Sequence, residues 1–189
     1  MNMDPALIVL GRFQPFHNGH AALINAALSY LEESKSELSL RICIGSSESE
    51  QSLNNPWNVK EREEMIRSWL QDLDIEIVHV PDLGDPPNYV KHAEKFHGPP
   101  GMIFTTDEET ADLYIEAGWT AKISNLVNRE DWQGWRVRAT IQMMSTITDE
   151  QGVRTVLGEN IPENVVNWLI ENDAIKRLAF MGMGGEPVG

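Results

Sequence analysis

The chain reads as an α/β domain, a doubly wound parallel sheet followed by C-terminal helices. Three observations predict this. Short apolar runs recur at Ala6–Leu10, Leu38–Ile44, Ile75–Val80, Met102–Thr105 and Thr120–Ile123, each of a length that suits a buried strand. Segments of helix-favouring composition and apolar spacing lie between them. Strands alternating with helices imply βαβ units, right-handed crossovers and a parallel sheet, with ligands expected at the carboxyl ends of the strands.

Each connecting element carries its own signal. His20–Leu31 is alanine- and leucine-rich and follows the first strand after a tight turn. Asn58–Leu70 opens with Asn58 and Glu61 at near-capping-box spacing. Pro87–Phe96 begins with proline, which suits a first helical turn. Glu108–Ala117 follows Thr106, has Glu109 three residues later, and stops at Gly118, a residue suited to a helix end. After Arg138 the pattern turns helical, at Ala139–Met144, Asp149–Leu157 and Pro162–Asn172. We therefore expect one domain over 1–189, with its core at about 6–141, a helical part at 142–180 and a frayed tail at 181–189.

Composition narrows the class. The 189 residues are 41% hydrophobic and 23% charged, ordinary values for a soluble protein with a core of its own. The net charge of −14 and pI near 4.7 argue against nucleic-acid binding, which needs a basic surface. An anionic ligand must then be met by a local basic cluster against an unfavourable overall field. The single cysteine, Cys43, lies in an apolar run and reads as a buried strand residue, so no intrachain disulfide forms. No basic leader and no membrane-length apolar stretch are seen, so a cytoplasmic protein is expected. His79, His92 and His97 share no metal-ligand spacing, so no protein metal site is expected and they read as structural or surface groups. Ser46 and Ser47 lack the surroundings of a nucleophile elbow, which leaves acyl transfer unsupported.

The stretch that carries chemistry is Gly11-Arg12-Phe13-Gln14-Pro15-Phe16-His17-Asn18-Gly19-His20. It sets two histidines, three apart, where a strand becomes a helix. A helix start presents backbone N–H groups and a partial positive charge, which together favour an anion. Residues three apart share a helical face, so both imidazoles are expected to reach one phosphate chain. A lone histidine there would more simply be a polar surface group or a cap. The combination of glycine, His-x-Gly-His and strand–helix context is far more specific.

This string resembles the first signature of the nucleotidylyltransferase superfamily, in particular the nicotinamide mononucleotide (NMN) adenylyltransferases of the archaeal type and the related Nudix-fused domains. Three further stretches are similar to that family: Ile44-Gly45-Ser46-Ser47 with Asn55-Pro56-Trp57 and Glu61-Arg62; Val80-Pro81-Asp82 with Tyr89-Val90-Lys91-His92; and Asn128-Arg129-Glu130 through Gly134 and Arg138. The likeness covers about residues 6–141. It implies a Rossmann-like fold and transfer of AMP from ATP to NMN, giving NAD and pyrophosphate, with Mg²⁺ on the ATP. It also implies a catalytic set of His17, His20 and Arg138. ATP would meet Gly11, Arg12, Phe13, Arg129 and Arg136 besides these three. The pyridine nucleotide would meet Ser46, Asn55, Trp57, Asp82 and Tyr89. No Nudix-like glutamate cluster is seen, so a fused pyrophosphohydrolase is not expected.

Such a reaction asks for alignment and positive charge rather than a base, because the attacking phosphate is already an anion. His17 and His20 would serve as hydrogen-bond donors or as cations. Arg138, read as opening a helix after Gly134, suits the β- and γ-phosphates through its bidentate fork. The family usually carries Ser-x-Thr before that arginine, where this chain has Gln133-Gly134-Trp135-Arg136-Val137-Arg138. Either Gln133 and Arg136 substitute for the hydroxyls, or the triphosphate is held more weakly. Tyr89 is either a stacking partner for the pyridinium ring or one more aromatic on an amphipathic helix. Trp57 is either pocket or core. Arg62 pairs with neighbouring glutamates such as Glu63 or Glu64, or with a ligand phosphate. Other readings stay open: transfer to nicotinate mononucleotide or pantetheine phosphate, or a catalytically weak nucleotide-binding regulator. A homo-oligomer is compatible with all of them. An aminoacyl-tRNA synthetase, which also uses His-x-Gly-His, is excluded by length and acidity.

Overall fold

The computed structural model describes residues 3–125 and 132–182. Five strands, β1 (Ala6–Gly11), β2 (Ser39–Ile44), β3 (Glu76–His79), β4 (Met102–Thr105) and β5 (Thr120–Ile123), form one sheet in the order β3-β2-β1-β4-β5. Every pairing is parallel. The helices are α1 (Asn18–Ser34), α2 (Val59–Leu70), α3 (Pro86–His97), α4 (Glu108–Glu116), α5 (Gly134–Met144), α6 (Glu150–Gly158), α7 (Glu163–Glu171) and α8 (Arg177–Gly182). The sequence therefore foretells the strands to within about a residue. The strand order reverses beside β1, the usual ligand position in such sheets. The register sets Gly11 opposite Ile44, and Ile44 opposite His79, so β1, β2 and β3 end level with one another.

Four boundaries differ from the sequence reading, each for a local reason. Helix α1 starts at Asn18, before His20, because its first donors find partners: Asn18 N–H meets the Asn160 carbonyl at 2.9 Å and Gly19 N–H meets His17 Nδ1 at 3.1 Å. Consequently His17 precedes the helix and His20 lies in its first turn, so the two do not share a helical face. The cap of α4 is Asp107 rather than Thr106, its carboxylate accepting Thr110 N–H at 2.9 Å and Thr110 Oγ1 at 2.7 Å. Helix α5 opens at Gly134, not Ala139, with Val137 N–H already bonded to the Gln133 carbonyl at 3.1 Å; Arg138 thus sits in its second turn. Finally α8 adds a helix that runs through Met181 and Gly182, the first residues of the expected tail; residues 183–189 lie outside the described residues.

The chain folds as two compact units. The first comprises the described residues of Met1–Arg12, His20–Ser49 and Leu73–Val127. It holds the sheet, most of α1, α3 and α4. Ala6, Ile8, Cys43, Val80, Val90, Ala93, Ile103, Tyr114 and Trp119 form its core. His97 is fully buried there, its Nε2 2.9 Å from the Tyr114 hydroxyl and its ring edge-on to Trp119. It is a satisfied interior histidine, and burial holds its pKa down at about 4. Burial likewise raises the Cys43 thiol, which makes it inert packing.

The second unit comprises the described residues of Phe13–Gly19, Glu50–Asp72 and Asn128–Gly189. It contains α2 and α5–α8. The capping box at α2 is complete: Glu61 N–H donates to Asn58 Oδ1 at 3.1 Å and Asn58 N–H to Glu61 Oε2 at 2.8 Å. Helix α2 packs on α7, where Asn164 Nδ2 donates to the Ser68 carbonyl at 3.1 Å. Arg177 of α8 pairs with Glu61 at 2.7 Å. No helix among the described residues is long and apolar enough to cross a membrane.

Candidate active site

In the first unit the carboxyl ends of β1, β2 and β3 carry the residues picked out by the sequence. Gly11 closes β1, and its carbonyl accepts the Gly45 N–H at 2.9 Å. Ser46 takes a positive φ of 50°, a conformation few L-residues adopt. Ser47 N–H then reaches the Val80 carbonyl at 3.2 Å, drawing the Gly-Ser loop to the end of β3. Arg12 is exposed, and His20 is half-buried in the first turn of α1.

Two residues past Val80 the Asp82 carboxylate, also exposed, accepts Ser49 Oγ at 3.3 Å. Tyr89, in the first turn of α3, is half-buried and packs against the core cluster. Burial pushes its hydroxyl up to about 12, and the nearby Asp82 carboxylate adds to the shift. His92 Nε2 lies 3.1 Å from the Pro81 carbonyl, which ties α3 to the Val-Pro-Asp loop. Tyr89 is therefore partly core, and its position is set by that loop.

In the second unit the turn Phe13–Gly19 meets α5. His17 is 5% exposed. Its Nδ1 accepts the Gly19 N–H, so the proton of the neutral ring resides on Nε2. Burial first, and the Arg138 charge second, hold its pKa down at about 4. Near neutral pH His17 is thus an uncharged N–H donor, not a cation. Arg138 Nη1 donates to the Gln14 carbonyl at 2.8 Å. A Cβ on Gly134 would lie 3.3 Å from Arg138 Nη1 and 3.8 Å from His17 Nε2. These three residues therefore converge on one spot, where a neutral donor and a guanidinium face the same small space.

The remaining positions resolve differently. Phe13 is 1% exposed with φ 50°, and its ring stacks near Phe16 at 6.1 Å, so any ligand contact falls to its backbone. Trp57 is also 1% exposed, and its Nε1 donates to the Ala174 carbonyl at 3.2 Å; its side chain is core. Arg62 is interior as well, and its Nε donates to the Asn58 carbonyl at 3.4 Å. Asn55 is half-buried, and its buried Oδ1 has no hydrogen-bond partner among the described residues. Arg136 is exposed, its guanidinium 5.3 Å from the Trp135 ring centre. Gln133 does not cap α5 with its side chain; its Oε1 accepts Trp135 Nε1 at 2.6 Å instead. Arg129 lies outside the described residues.

Motif spacing does not single out the Gln14 side chain. Gln14 is 4% exposed and bonds the backbone of Trp57 twice, through Nε2 to the carbonyl at 2.7 Å and through Oε1 from the N–H at 3.2 Å. A buried amide inside a turn rich in apolar residues is the only local signal. Its partner lies 43 residues away in sequence. Among the described residues no group of three or more His, Cys, Asp or Glu side chains is placed to hold a metal ion.

The profile of the cytidylyltransferase-like family matches residues 8–119. The nicotinamide-nucleotide adenylyltransferase of Picrophilus torridus is 28% identical over 94% of this chain and 98% of its own length. Those of Methanococcus maripaludis and Thermoplasma acidophilum are 29% and 26% identical, over 90% and 95% of this chain and 91% and 93% of their own lengths. Among solved structures, a bifunctional NMN adenylyltransferase/ADP ribose pyrophosphatase of Francisella tularensis, complexed with AMP and manganese, superposes with a TM-score of 0.63 at 20% identity. That match covers 94% of this chain but 52% of the other, so this chain spans about half of that protein's length. It shows a shared fold.

Proposed function

The chain belongs to the cytidylyltransferase-like family, and on that premise we propose that it is a nicotinamide-nucleotide adenylyltransferase acting in the cytoplasm. The reaction joins a phosphate oxygen of NMN to the α-phosphorus of ATP and breaks the bond from that phosphorus to the β-phosphate bridging oxygen, so NAD and pyrophosphate leave. The nucleophile is an anion, and no proton need be removed. What lowers the barrier is alignment and positive groups facing the charge that builds on the phosphates.

The observation that carries this reading is the convergence of His17 Nε2 and Arg138 beside Gly134. His17 donates its Nε2–H to a phosphate oxygen. Arg138 holds the β- and γ-phosphates, with Arg12, Arg136 and the backbone of Gly11 and Phe13 as further contacts of ATP. His20 supplies a second donor from the first turn of α1. Tyr89 stacks on the pyridinium ring, and Ser46, Asn55, Trp57 and Asp82 border the acceptor, Trp57 through its backbone. Mg²⁺ would neutralise the triphosphate, held mainly by phosphate oxygens and water.

Pyrophosphate release with ATP and NMN tests the reading. Turnover with NMN above that with nicotinate mononucleotide or pantetheine phosphate is expected, and His20→Ala should cost two or more decades while melting is little changed. Absence of release with all three acceptors would favour a nucleotide-binding regulator, a reading motivated by the Gln133 side chain being occupied by Trp135 rather than available to phosphate.

A further inference from the structure

Gln14 lies between the glycine and the histidines of the signature, yet its side chain faces inward. Both ends of its carboxamide are used on one residue: Nε2 donates to the Trp57 carbonyl at 2.7 Å and Oε1 accepts the Trp57 N–H at 3.2 Å. This is the bonding of a strand partner, supplied by a side chain. At neutral pH a carboxamide offers a donor and an acceptor in that geometry, which an ionised carboxylate does not. The backbone of Gln14 is committed too, since its carbonyl accepts Arg138 Nη1 at 2.8 Å. Trp57 is anchored in turn, its Nε1 donating to the Ala174 carbonyl at 3.2 Å. The turn that carries His17 is thereby fastened on one side to the Asn55–Trp57 segment and on the other to α5.

We propose that Gln14 is a positioning residue for adenylyl transfer, its amide locking the turn to Trp57 so that its carbonyl can hold the Arg138 guanidinium in place. The inference rests on the clamp assigned to Arg138 under the proposed function. A guanidinium on a flexible stem has many rotamers, and a fixed carbonyl selects among them before substrate arrives. If the turn shifts, Arg138 loses that acceptor and the clamp loosens even though every charged group remains.

A double-mutant cycle tests this, with turnover measured per folded molecule. Gln14→Met, near-isosteric and apolar, should lower kcat at least tenfold. In an Arg138→Ala background the same change should cost less than about threefold, because its effect passes through Arg138. Near-normal kcat in Gln14→Met, or a loss that multiplies fully with that of Arg138→Ala, would overturn the proposal. Gln14→Glu gives a second reading should the methionine variant fold poorly. The carboxylate keeps an acceptor for the Trp57 N–H but sets an oxygen against the Trp57 carbonyl. Once protonated it can donate again. Its kcat relative to the unmodified enzyme should therefore recover as pH is lowered, and a ratio flat in pH counts against the proposal. An Arg138→Ala enzyme with unimpaired rate would instead remove the clamp itself, and with it this inference; that outcome is recognised by the single variant alone.

Discussion

Gly19 donates its backbone N–H to Nδ1 of His17 at 3.1 Å, and this bond decides which nitrogen of the imidazole keeps a proton. With Nδ1 committed as an acceptor and the ring neutral, Nε2 carries the hydrogen and is the nitrogen nearest to Gly134. The His-x-Gly-His spacing is thus a device for holding the first histidine as well as for delivering the second.

Gly19 itself should resist substitution for that reason. A Cβ there would lie 2.9 Å from Trp132 Cβ and 3.0 Å from His17 Cε1, too close for either to stay in place. Alanine near a helix start ordinarily favours the helix by up to about 1 kcal/mol. Gly19→Ala is nevertheless expected to lower turnover at least tenfold. A variant that is both more stable and fully active would show that His17 need not be held where it is.

Acid should weaken the fold through two histidines. His17 and His97 have pKa values held down at about 4 by burial, against 6.5 in a free chain. Between those values the unfolded chain binds protons that the native state refuses, so stability is complete above pH 6.5 and is lost as pH falls towards 4. The loss is on the order of 3 kcal/mol per group at the acid end. Urea unfolding at pH 7 and pH 5 should show it, and His97→Gln should make the pH slope shallower. Stability that rises on acidification across this window would contradict the burial argument.

Tyr89 separates stacking from packing. Because it packs on the core cluster, Tyr89→Ala should lower the melting temperature as well as raise the KM for NMN severalfold, the latter from a lost stack of about 1 kcal/mol. Tyr89→Phe keeps the ring and should restore both. The KM for ATP should not follow. An equal effect on ATP and NMN would place the pyridine ring elsewhere.

Arg138→Lys keeps the charge but loses the fork, so kcat is expected to fall at least tenfold. The double change Gln133→Ser with Trp135→Thr asks the converse question. Trp135 is 58% exposed and bonded to Gln133, so removing the pair costs little packing and frees the helix start for a hydroxyl cap. Tighter ATP binding and faster turnover would identify a weakened site. Lost activity would mean that Trp135, with Arg136 against its ring, belongs to a rearranged one.

By itself the sequence determined what local pattern can encode. Five apolar runs specified five parallel strands, Asn58 and Glu61 marked the start of α2, and the Gly11–His20 string marked the strand-to-helix turn. These follow from near-neighbour propensities and periodicity, which need no knowledge of the rest of the chain. Tertiary structure decided the chemistry of the groups so marked. Arg138 finds its acceptor in Gln14 across 124 residues, and Trp57 finds one in Ala174 across 117. Burial, not composition, keeps His17 neutral, turns Trp57 and Arg62 inward and leaves Trp135 outside. A side chain's dielectric surroundings and distant partners exist only once the chain has folded. For that reason the motif could name His17 and Arg138 but could not say that one is an uncharged donor and the other is held by a turn carbonyl.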